Sequence, residues 1–141
     1  MLFAFLQHLG GETLEVLLEP RARVVESVVV GSDPLEMLTG VIPATEKLLQ
    51  RAGIALDQIH AYEVNEAFSP VPLAWLDRVG ADIDRLNISG GAIALGPPLG
   101  ATGAKLTGTL IHALEHLDGR YGLQTMCEGG GMANATLFER I

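Results

Sequence analysis

One stretch constrains the fold more than any other: Gly90-Gly91-Ala92-Ile93-Ala94-Leu95-Gly96-Pro97-Pro98-Leu99-Gly100-Ala101-Thr102-Gly103. It is a glycine-rich turn that runs straight into a helical segment. Such a turn lets backbone approach a ligand or a neighbouring element closely. The segment behind it, Gly100 to Leu117, carries Leu106, Leu110, Ala113, Leu114 and Leu117 on one stripe, the pattern of a helix laid on a core.

Alternating segments surround that unit. Ala22 to Val30 is β-branched and bounded by Gly31-Ser32-Asp33-Pro34, which predicts a buried strand followed by a turn. Pro43 to Ala52, with Pro near its start and Gly53 past its end, predicts a helix. Ile59 to Val64 predicts a short strand. Glu66 to Val79 is helical in spacing, with Pro70 and Pro72 suited to a first turn. Arg120 to Cys127 and Ala133 to Ile141 read as strands that Gly129-Gly130-Gly131 joins closely enough to pair antiparallel. The order predicts an α/β layered domain with a mostly parallel sheet.

At 141 residues the chain has the size of one domain with one sizeable core. Its 9 basic and 17 acidic residues leave a net charge of −8, so clustered cations for nucleic acid or anionic lipid are not expected. Cys127 is the single cysteine, which excludes an intrachain disulfide and fits a reducing cytoplasm. The apolar start, Met1 to Leu6, lacks a basic flank and is far below the ~20 residues of a membrane span.

Four constellations could carry chemistry. His112-Ala113-Leu114-Glu115-His116 matches a zinc-peptidase pattern, but both histidines lie off the apolar stripe, as on a solvated helix face. The glycines at 96, 100 and 103 lack dinucleotide spacing, and no Gly-Lys-Ser/Thr follows. The helix start behind them still suits an oxyanion or thioester oxygen. Cys127, at a strand end before Glu128 and the glycine run, reads either as an activated thiol or as a small buried hydrophobe. Asn65-Glu66-Ala67-Phe68 follows a strand directly, where α/β sheets place ligand-binding groups, although Asn65 would also serve as a helix cap.

Taken together, Asn65-Glu66-Ala67-Phe68, the Ser89-to-Gly103 loop and Cys127-Glu128-Gly129-Gly130-Gly131 resemble the C-terminal half of the thiolase (acetyl-CoA acyltransferase) family. The resemblance runs from about Pro20 to Ile141 and includes Arg120-Tyr121-Gly122-Leu123. It implies one thiolase-type half over residues 13–141, with residues 1–12 as an extension. The implied sheet is five-stranded and mostly parallel with a closing antiparallel strand, and helices cover both faces. It also implies thiolysis of 3-ketoacyl-CoA or the reverse Claisen condensation. CoA thioesters would be substrates, and no cofactor or metal is expected.

Residue by residue, the resemblance makes Cys127 the acid/base cysteine, Asn65 the water-holding asparagine and Gly129 the oxyanion-hole glycine. Phe68 would line the acyl-pantetheine channel, and Gly96 would lie at the substrate. The departures carry equal weight. Pro97 stands where the family has its histidine, and Ser89 where an asparagine is common. Proline has neither a base nor a side-chain donor. The family's nucleophilic cysteine belongs to an N-terminal half. The expectation is a thiolase C-terminal domain that is inactive alone and occurs as a homo-oligomer or with a thiolase-subunit partner. A non-catalytic thiolase-like binding module is the alternative, and a zinc hydrolase using His112, Glu115 and His116 is the remote one.

Overall fold

The computed structural model describes residues 20–96 and 98–141. Four strands form one sheet: β1 (Ala22–Gly31), β2 (Ile59–Val64), β3 (Tyr121–Glu128) and β4 (Met132–Arg140). The helices are α1 (Val41–Ala52), α2 (Pro70–Val79), the single turn-and-a-half α3 (Gly91–Leu95) and α4 (Thr102–His116).

The strand order is β1-β4-β3-β2, with β1–β4 and β3–β4 antiparallel and only β2–β3 parallel. This corrects the expected five-stranded, mostly parallel sheet. The described residues supply four strands in a mixed sheet. Three of them, β1, β2 and β3, do run in one direction. However, the tight Gly129–Gly131 turn returns β4 against β3, and β4 then separates β1 from its co-directional partners. Only β2 and β3 are linked by a helical crossover and also lie side by side, the condition for a parallel pair.

Period-two alternation divides the sheet into two faces. Ala133, Ala135 and Leu137 of β4, with Leu123 of β3 and Tyr62 and Val64 of β2, meet Val41, Ala44 and Leu48 of α1 and Val71 and Trp75 of α2. Trp75 is fully enclosed. It donates from Nε1 to Thr45 Oγ1 at 2.8 Å and meets the Tyr62 ring edge-on at 5.3 Å. On the other face Ala61 and Phe138 pack with Leu110, Ala113 and Leu114 of α4. Helices therefore cover both faces, as expected.

Two local expectations change. β1 is an edge strand rather than a buried one. Val28 is in the core, but Val24 and Val29 are more than half exposed because α4 packs chiefly over β2 and β3. The stripe on α4 is buried from Leu106 to Leu114. Leu117 is exposed, since the helix ends at His116 and Leu117 is its C-cap. The expected extension over residues 1–12 lies outside the described residues.

Candidate active site

β2 and β3 end side by side, and the ladder continues one step past β2, with Asn65 N–H donating to Thr125 O at 2.9 Å. Asn65 and Cys127 thus stand at the carboxyl ends of neighbouring parallel strands, where open α/β sheets bind ligands. Asn65 is not a helix cap. α2 begins five residues later at Pro70, with Ser69 as its N-cap, so Asn65 is free for another use.

The strand-to-helix loop is anchored by Glu66. Its carboxylate accepts from Asn87 Nδ2 and from the backbone N–H of Ile93, both at 2.8 Å. Asn87 also pairs with the Val64 backbone through both ends of its amide, at 2.9 and 3.0 Å. To do so Asn87 adopts a left-handed backbone (φ 47°), which Asn tolerates better than most residues. The 90–96 turn is in this way tied to the end of β2.

The far side of the loop is tied to α4. Lys105 donates from Nζ to Leu95 O and, at 2.8 Å, to Gly96 O. Thr102 Oγ1 donates to Pro98 O at 3.0 Å. Gln124 of β3 donates to Gly103 O at 3.2 Å, holding the start of α4 over the end of β3. The glycine-rich loop, Asn65 and the end of β3 are therefore one region of the molecule.

Cys127 is half-buried against the α1–α2 core, and burial and the neighbouring Glu128 carboxylate push its thiol pKa up. Of the two readings, the activated thiolate is the one this environment disfavours, because no cation among the described residues stands by to stabilise it. A protonated thiol is suited to giving a proton. No hydrogen bond joins Cys127 to Asn65 among the described residues. Gly129 opens the turn after β3, exposed and with open space around it. Phe68 is 61 % exposed, and Gly96 is exposed with φ 78°. Pro97 lies outside the described residues.

Within His112-Ala113-Leu114-Glu115-His116 the acid already has a partner. Glu115 is ion-paired with Arg21, which also lies 3.0 Å from His112 Nδ1. Among the described residues no three His, Cys, Asp or Glu groups come together as metal ligands. Nor is any helix among them long and apolar enough to cross a membrane.

Four residues of this region escaped the sequence reading: Glu63, Glu66 as an anchor, Asn87 and Lys105. Asn87 just before Ile88-Ser89-Gly90-Gly91 was the visible signal, since Asn beside glycines marks left-handed backbone.

An α/β sheet with this loop at its strand ends defines the class, and comparison with known proteins places it. The thiolase C-terminal domain model matches residues 18–140, so the chain belongs to the thiolase family. It is 56 % identical over 124 residues to the steroid 3-ketoacyl-CoA thiolase FadA6 of Mycobacterium tuberculosis, covering 88 % of this chain and 30 % of that protein. It is 46 % identical over 127 residues to a 3-ketoacyl-CoA thiolase of Yersinia enterocolitica, covering 88 % and 33 %. The fold matches human mitochondrial 3-ketoacyl-CoA thiolase (TM-score 0.84, 38 % identity, 92 % of this chain and 33 % of that one). It matches the acetyl-CoA acetyltransferase of Bacillus anthracis equally well (TM-score 0.84, 35 % identity, 92 % and 33 %). The chain spans about a third of the length of these relatives.

Proposed function

We propose that this chain supplies the C-terminal side of a thiolase-type acyl-CoA site and turns over no substrate by itself. One observation carries the reading: Asn65, the glycine-rich loop and Cys127 all lie at the carboxyl ends of the neighbouring strands β2 and β3, with the Cys127 side chain toward α1 and α2, in a chain that belongs to the thiolase family. In this reading Asn65 holds a water for an oxyanion hole, and the Gly129 backbone N–H contributes to another. Cys127, kept protonated by burial, exchanges a proton at the substrate α-carbon. Phe68 and Gly96 flank the acyl-pantetheine arm. The 3-ketoacyl-CoA chemistry named for the relatives is the family activity to which these residues would contribute.

Two chemical facts support the inactivity. Covalent acyl transfer needs a nucleophile and a base within hydrogen-bond reach. The only cysteine in the chain is Cys127, which matches the acid/base position, and Pro97 has no ionisable group at the histidine position. A nucleophile must then come from other polypeptide, whether a longer form of this protein or a partner subunit.

Association is part of the same proposal. Phe68, Leu73, Ile93 and Leu99 are each more than half exposed near the site end. Leu73 and Ile93 line one surface pocket of about 280 Å³ together with Glu66 and Asn87. Apolar surface of this kind favours a covered state. The test is thiolysis of acetoacetyl-CoA by the purified chain, with no turnover above buffer expected. Turnover that is lost in Cys127→Ala would overturn the proposal.

A further inference from the structure

Among the described residues, Glu63 is a buried carboxylate that the site as described does not use and that no cation pairs, unlike Glu139 between Arg120 and Arg23. It is 1 % exposed, and among the described residues neither oxygen meets a hydrogen-bond donor. Two residues along the chain, Asn65 Oδ1 is enclosed in the same way. Residues two apart on a strand point to one face, and Ala61, packed against α4, marks which face this is. Three enclosed acceptor atoms without a donor thus run along one side of β2 into the candidate site.

The neighbours leave that deficit unfilled. On β3 the residue in register with Glu63 is Gln124, whose amide is engaged by Thr107, Gly103 and Met126. Lys105 is the only charged side chain in the first two turns of α4, and it reaches the carbonyls of Leu95 and Gly96 instead. Beyond β2's other edge, Arg85 donates to the carbonyls of Asp57 and Ile59 and pairs with Asp82. The charge that does bear on Glu63 is the Glu66 carboxylate. Burial first and Glu66 second push the Glu63 carboxyl up to about 7.

We propose that Glu63 is a positioning residue for Asn65. Its neutral carboxyl donates toward Asn65 Oδ1, directly or across one bound water, and so turns the Asn65 amide nitrogen toward the site. When Glu63 ionises it can only accept, and the Asn65 carboxamide turns over to offer Nδ2 inward and Oδ1 outward. The polarity that Asn65 presents to a bound water is then set by a proton on Glu63. This rests on the reading of Asn65 as a water-holding residue.

The test follows both side chains by NMR in the labelled whole chain, reading Glu63 ¹³Cδ and the Asn65 side-chain amide across the neutral pH range. The expected result is one shared titration with a midpoint of about 7. Glu63→Gln should abolish the Asn65 titration and leave its signal at the low-pH position. Glu66→Gln should move the shared midpoint down, because a like charge has been removed. Asn65 signals that stay flat while Glu63 titrates, or that titrate unchanged in Glu63→Gln, overturn the proposal. The wild-type measurement suffices on its own if a variant fails to fold. None of these signals depends on CoA binding or turnover, so failure here is distinct from failure of the thiolase reading.

Discussion

The Glu66 carboxylate and Gly91 occupy one another's space so closely that a β-carbon on Gly91 would stand 2.7 Å from Oε2 and nearer still to Oε1. Gly91 also has φ +67°, a backbone that L side chains rarely adopt. The glycine lets the loop fold down onto the acid, and the acid receives the loop's Ile93 N–H.

Gly91→Ala should therefore cost about 1–3 kcal/mol through strained backbone and a displaced carboxylate. Urea midpoints would measure it. Amide exchange at Ile93 should quicken in the same variant, while a loss below a few tenths of a kcal/mol would show that the contact is soft.

On the opposite face, Trp75→Phe keeps most of the apolar packing but removes the Nε1 bond to Thr45 Oγ1. A destabilisation of about 1–2 kcal/mol is expected from the lost bond in a dry core. Thr45 retains its own bond to Val41 O, so Thr45→Val in the Trp75→Phe background should add less than it does in wild type.

Glu139 is clamped between Arg120 and Arg23, whose hydrogen bonds hold its carboxyl below the usual carboxylate range. A depressed folded-state pKa contributes stability that is present above the ordinary carboxylate range and lost as pH falls through the folded value. Glu139→Gln should thus lower stability at neutral pH and flatten the acid limb of a thermal-melt series. An unchanged acid limb would show that the two arginines do not bind this carboxylate in solution.

Cys127 should behave as a masked thiol. Burial raises its pKa, so alkylation by iodoacetamide at neutral pH should be slower than for a free cysteine and should climb with pH past the usual thiol range. Rapid labelling at neutral pH would mean an activating cation that the fold does not show.

The elements were legible where one period dominated. α4 shows its stripe because a helix pressed on two strands needs apolar residues on its inward face, here Leu106, Leu110, Ala113 and Leu114. The β3–β4 hairpin was legible from its three glycines. Sheet order was not, because the β-branched run of β1 reads the same at an edge as at the centre. Its place beside β4 depends on pairings more than a hundred residues apart, such as Arg23 with Glu139. In the site, Asn65 and Cys127 stood out by motif, since their positions at strand ends follow from adjacent segments. Glu63 and Asn87 did not. The role of Glu63 comes from what burial does to an ordinary carboxyl and leaves no local pattern, whereas for Asn87 the nearby Gly90-Gly91 hinted at left-handed backbone but not at its partners.

The proposed function stands or falls on Pro97 occupying the histidine position of an otherwise retained thiolase site. The most direct measurement is acetoacetyl-CoA thiolysis by Pro97→His, assayed with a thiolase N-terminal half supplied in trans, beside the unaltered chain. Turnover is expected with Pro97→His, loss of that turnover when Cys127→Ala is added, and none with the unaltered chain. Equal turnover by the unaltered chain, or Pro97→His activity that survives Cys127→Ala, would contradict it.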